Sequence, residues 1–93
     1  MDVQEIINQI EKIKIEDDTN GSESWIAVGV DNVRTNSKIG RELLANGFRK
    51  DSFYGLIYVL HGNLKEKETK AKSLQDLLCG VCHLETQIYD RAL

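Results

Sequence analysis

The sequence predicts a mainly α fold, a small single-domain helical bundle of about four helices, and three observations carry that expectation. In residues 73–92, Leu74, Leu77, Leu78, Val81, Leu84 and Ile88 recur at helical spacing. Near the start, Val3, Ile6, Ile7, Ile10 and Ile13 fall on one face of a second helix. The chain has no proline, which favours long uninterrupted elements. The alternative is an α+β fold with short strands near 25–30 and 53–60.

In the first helix Asp2 is a good N-cap, and Glu5 completes a capping-box pattern. The helix is expected to stop near Ile15 or Glu16, with a polar loop over 17–22. Residues 24–46 read as one helix that is apolar on two sides, with Ile26, Val30, Val33 and Leu44 on one and Trp25, Val28, Ile39 and Leu43 on the other. The competing reading is a strand over 25–30, a turn, and a helix over 37–46, because Trp-Ile-Ala-Val-Gly-Val suits a buried strand. Against the strand stands the shortage of partners for a sheet.

Leu43-Leu44-Ala45-Asn46-Gly47-Phe48 predicts a Schellman stop, with Gly47 left-handed and Phe48 folding back onto Leu43. Asp51 or Ser52 then caps a third element, where Phe53, Leu56, Ile57, Leu60 and Leu64 keep helical spacing. Its continuous apolar run suits a central strand as well. Residues 65–72, Lys-Glu-Lys-Glu-Thr-Lys-Ala-Lys, carry no apolar stripe. They are expected to form an exposed charged connector, with Ser73 capping the last helix.

Ninety-three residues make one domain, 1–93. A chain this short buries about 60–65% of the surface it exposes when unfolded. Two cysteines three apart on a helix provide no disulfide framework, which leaves room for a second subunit to complete the core. The start, Met1-Asp2-Val3-Gln4-Glu5, is acidic where a signal peptide is basic. No apolar run approaches the roughly 20 residues of a membrane span. The expectation is a cytoplasmic protein with reduced thiols and no membrane partner.

The net charge of −3 hides an asymmetry. Residues 1–31 carry eight acids against two bases, while 32–50 carry Arg34, Lys38, Arg41, Arg49 and Lys50 against Glu42 alone. The basic middle reads first as a solvated face near the acidic first helix, and second as a site for an anionic partner.

Cys79-Gly80-Val81-Cys82-His83 matches the C-x-x-C-H pattern of c-type haem attachment. That chemistry needs export and a distal ligand, and with Met1 the sole methionine only His61 remains for the latter. A metal site would need Cys79, Cys82, His83 and His61 together, since structural zinc takes four ligands. No cofactor is expected. On a helical projection Cys82 sits at the rim of the core stripe, while Cys79 and His83 face away with Asp76 and Asp90. A cysteine on a solvated face is unusual, so Cys79, Gly80, His83, Asp76 and Asp90 form the expected partner-binding surface.

A helix-turn-helix is the nucleic-acid alternative, with residues 39–45 as first helix and 52–60 as recognition helix. Arg34, Lys38, Arg41, Arg49 and Lys50 would then meet phosphates. The link between its helices is longer than usual. Enzyme signatures such as G-x-S-x-G, a Walker loop and H-E-x-x-H are absent. The sequence therefore predicts a non-catalytic protein-interaction module, an inhibitor, adaptor or accessory subunit. It is expected to self-associate as a dimer through the last helix. The alternatives are a DNA-binding regulator and, third, metal binding.

Overall fold

The Asp2 side chain accepts the Glu5 backbone N–H at 2.8 Å while the Glu5 carboxylate reaches back to the Asp2 N–H. This capping box starts α1 (Val3–Glu11), which buries Val3, Ile6, Ile7 and Ile10. The helix ends at Glu11 rather than near Ile15. The computed structural model describes residues 1–16 and 24–91. The loop expected over 17–22 and the last residue of 73–92 lie outside them.

β1 (Trp25–Asp31) follows, then α2 (Lys38–Ala45), β2 (Arg49–Asp51), β3 (Gly55–Val59), α3 (Leu64–Cys82) and β4 (Glu85–Arg91). The strands form one antiparallel sheet in the order β2-β3-β1-β4. From β1 onward this is the βαββαβ connectivity of a split βαβ unit, preceded by the extra helix α1. The mainly α bundle of about four helices therefore gives way to an α+β fold with three helices and four strands among the described residues. The helix expected over 24–46 is instead a strand, a turn and the helix α2, the competing reading of that stretch, and the helix expected after residue 51 is a turn and a strand. Residues 25–31 form the central strand β1, and 55–59 form β3.

β1 is buried along its whole middle, and alternate side chains of the strands join the helices in the core. Ile26, Val28 and Val30 of β1, with Leu56, Tyr58 and Leu60, face the helices and enter one core with Ile6, Ile10, Leu43, Leu74 and Leu78. β-branched residues fit that pleated surface better than they fit a helix. The partners that β1 needed came from β3 and from β4, the latter hidden in the stretch expected to be the last helix.

That last helix is corrected at both ends. It starts at Leu64, and the supposed connector 65–72 forms its first turns, with Glu66, Lys67, Lys70 and Ala71 buried. It ends at Cys82, so Leu84 and Ile88 leave the stripe. His83 adopts a left-handed conformation (φ 56°), and its N–H and that of Leu84 both reach the Leu78 carbonyl. The buried line of α3 is Ala71, Leu74 and Leu78, while Val81 is 40% exposed.

The Schellman stop forms as expected. Gly47 has φ +97°, and the Phe48 N–H bonds the Leu43 carbonyl at 3.1 Å. α1 packs against both α2 and α3. The helices cover one face of the sheet, and among the described residues no helix covers the other.

Candidate binding face

On the helix-free face the alternation brings forward Trp25, Ala27, Gly29 and Asp31 of β1, Ile57 and Val59 of β3, Arg49 of β2, and Gln87, Tyr89 and Arg91 of β4. Ala27 and Ile57 point to this side yet have no exposed surface. Aromatic rings gather around this side of the sheet. Tyr54 packs against Tyr89 with centroids 4.2 Å apart and planes tilted by 36°, and lies 6.0 Å from Trp25. The Arg91 guanidinium sits 4.9 Å above the Trp25 ring, a cation–π contact. Gly29 makes the packing possible, because a Cβ there would collide with the Tyr89 ring.

The turn between β2 and β3 displays one further ring. The Asp51 carboxylate accepts the N–H of Phe53 at 2.8 Å and that of Tyr54 at 3.1 Å, closing an Asx-type turn. Phe53 is held at its tip, 88% exposed. Its ring centroid is 6.3 Å from that of Tyr54. Trp25, Arg49, Asp51, Phe53, Tyr54 and Arg91 line a shallow cleft. His61 lies on the other side of Trp25, in a second hollow shared with Arg49 and Val59. Burial, with the nearby Asp31 charge second, holds the Tyr89 hydroxyl above its ordinary pKa, so the ring stays neutral.

The residues expected from sequence are more scattered. Asp76, Cys79 and Gly80 are exposed on α3, and a Cβ added to Gly80 would meet open space. Cys79 Sγ lies 3.2 Å from Thr86 Oγ1 at the start of β4. Asp90 sits four residues further along that strand, about 13 Å away at 3.3 Å per residue. His83 serves as the cap that turns α3 into β4. Cys82 is partly buried against the core.

His61 precedes the N-terminus of α3 while Cys79 is near its other end, about 22 Å along the axis at 1.5 Å per residue. Among the described residues no group of three or more His, Cys, Asp or Glu is placed to hold a metal ion.

The basic residues split between elements. Arg34 precedes α2, Lys38 and Arg41 lie on it, and Arg49 and Lys50 belong to β2, all exposed. Residues 52–60 form a turn and a strand, so the recognition helix of a helix-turn-helix does not exist. Of the five, Arg49 alone joins the aromatic face. Lys50 alternates to the other side.

Sequence reasoning passed over Trp25, Phe53, Tyr54, Tyr89 and Arg91 as a group. Their convergence follows from strand alternation, which a helical reading of 24–46 and 73–92 conceals. No described helix is long and apolar enough to cross a membrane. Comparison with family models, curated proteins and solved structures yields no match.

Proposed function

We propose that this protein is a non-catalytic protein-interaction module that engages its partner through the open sheet face around Trp25, Phe53, Tyr54 and Tyr89. The observation that carries the reading is Phe53, 88% exposed and held outward by a turn that Asp51 fastens. Large rings kept in water beside a half-buried aromatic cluster mark interaction surfaces. Tryptophan, tyrosine and arginine are also the residues that concentrate binding energy at protein interfaces. A cytoplasmic setting belongs to the same reading, since both cysteines are free thiols.

The test compares tagged wild-type protein with Phe53→Ser and Arg49→Glu in a lysate of the native source. Wild type is expected to retain one protein in stoichiometric amount that both variants lose while keeping their fold. Nuclease treatment is expected to change nothing. Retention by Phe53→Ser equal to wild type overturns the reading.

A second reading is favoured by Arg49 and Arg91 flanking the rings. A sheet that pairs stacking aromatics with cations suits single-stranded nucleic acid. Trp25 is the sole tryptophan and reports on this face directly. Quenching by an oligonucleotide, with affinity falling steeply as salt rises, would select this reading over the first.

A further inference from the structure

The two edges of the sheet are built differently. The β2 edge is three residues long and reads Arg49-Lys50-Asp51, short and charged in the way edges are protected from pairing. The β4 edge runs for seven residues, Glu85 to Arg91, with no proline. Among the described residues no backbone group pairs with its outer side.

The hydrogen-bond parity of that edge can be read off β1. The Ile26 carbonyl accepts the Leu60 N–H at 2.9 Å, so Ile26, Val28 and Val30 direct their backbone groups toward β3. Trp25, Ala27, Gly29 and Asp31 direct theirs toward β4, where their partners are Arg91, Tyr89, Gln87 and Glu85. The remaining residues of β4, Thr86, Ile88 and Asp90, point their N–H and C=O groups outward. The one described contact there is Gln75 Nε2 donating to the Thr86 carbonyl at 3.4 Å, which leaves that oxygen a second lone pair.

We infer that β4 pairs with β4 of a second copy of this chain, antiparallel about a two-fold axis at Ile88. That register sets Ile88 opposite Ile88 of the other copy and Thr86 opposite Asp90. Each such pair exchanges two backbone bonds, about six in all. It also sets Glu85 opposite Arg91 at both ends, in the close non-hydrogen-bonded positions where opposite charges attract. No like charges meet. The Arg91 guanidinium has donors in its plane for the carboxylate while its face stays on Trp25.

On the helix side, Ile88 is 39% exposed and lines a groove with Ile26, Ala71 and Asp76. The other copy's Ile88 extends that apolar floor. The product is a continuous sheet of eight strands with both aromatic faces on the same side.

Light scattering on a sizing column gives the absolute mass. Wild type is expected at twice the 10.6 kDa of one chain. Ile88→Lys sets two ammonium groups face to face and is expected to raise the dissociation constant at least tenfold. Glu85→Arg is expected to do the same by opposing Arg91, and the exchange Glu85→Arg with Arg91→Glu to restore the dimer. The charge exchange keeps the test decisive should Ile88→Lys fail to fold. A monomeric wild type, or a dimer that folded Ile88→Lys and Glu85→Arg leave unchanged, overturns the inference.

Discussion

Lys70 Nζ lies 3.2 Å from the Glu66 carboxylate one turn earlier in α3, and Lys70 is only 1% exposed. The ammonium also donates to the His61 carbonyl at 3.1 Å and has Glu11 at 3.8 Å. Glu66 in turn accepts the Ile15 N–H at 3.0 Å, so the pair ties the segment after α1 to α3. Asn63 caps α3 and also donates to the Ile15 carbonyl.

Removing one member of a buried pair leaves the other charge uncompensated, at a cost of about 3–5 kcal/mol. Lys70→Met keeps the length of the side chain and drops its charge. Its unfolding free energy in urea is expected to fall by about 3 kcal/mol. Lys70→Met with Glu66→Gln should lose less than the sum of the single changes, and strict additivity would show the pair uncoupled.

Two groups of this network make stability depend on pH. The Ile15 N–H, and after it Lys70, hold the Glu66 carboxyl below its ordinary pKa. Its contribution is full above about 4.3, the unfolded value, and is lost as pH falls through the lower native value. Tyr58 runs the other way. Burial, then its bond to Glu11 at 2.7 Å, raises the phenol above its ordinary pKa. Its contribution is full below about 10 and lost as pH climbs beyond it. Thermal melts across pH should show a plateau with an acid and an alkaline limb. Tyr58→Phe should shrink the alkaline limb and leave the acid one, with Tyr89 and Cys82, both raised by burial, contributing to what remains.

The same network shows why parts of the fold were legible and others were not. α1 and the Gly47 stop rest on contacts within a few residues, and both could be read directly. The first turns of α3 bury Glu66, Lys67 and Lys70, whose partners are Ile15, Ser24 and His61. Hydropathy reads such residues as exposed because Ile15 and Ser24, which compensate Glu66 and Lys67, lie far away in sequence.

β3 misled for a different reason. Phe53, Leu56, Ile57 and Leu60 satisfy a helical spacing, yet Leu56 and Ile57 are buried on opposite faces of a strand. A run apolar on both sides carries no period to decide between them. The aromatic face was out of reach for the same reason, since it exists only once β1, β3 and β4 are side by side.

Gly29 offers a test of that face. A Cβ at this position would strike the Tyr89 ring and come within 3.3 Å of the Tyr54 carbonyl. Gly29→Ala is expected to unseat Tyr89 from Tyr54 and to cost about 1–3 kcal/mol, as overpacking does. The near-ultraviolet circular dichroism of the ring cluster should change with it. Adding Tyr89→Ala removes the obstacle, so the double variant should be destabilised by less than the two single changes together. Wild-type stability in Gly29→Ala would show that the ring is not seated there.

Cys79 and Cys82 stand three residues apart on α3 in unlike surroundings. Cys79 is exposed beside Thr86. Cys82 is packed against the core, and burial, with the Glu42 charge second, pushes its thiol up. Only the thiolate attacks an alkylating reagent, and it must also be reached. Iodoacetamide near neutral pH is therefore expected to label Cys79 first, on the order of tenfold faster than Cys82, as read by peptide mass mapping. Equal rates would mean that the last turn of α3 opens readily and frees Cys82. A strong preference would mean that the C-x-x-C pair does not act as a matched pair of thiols, because its second member belongs to the core.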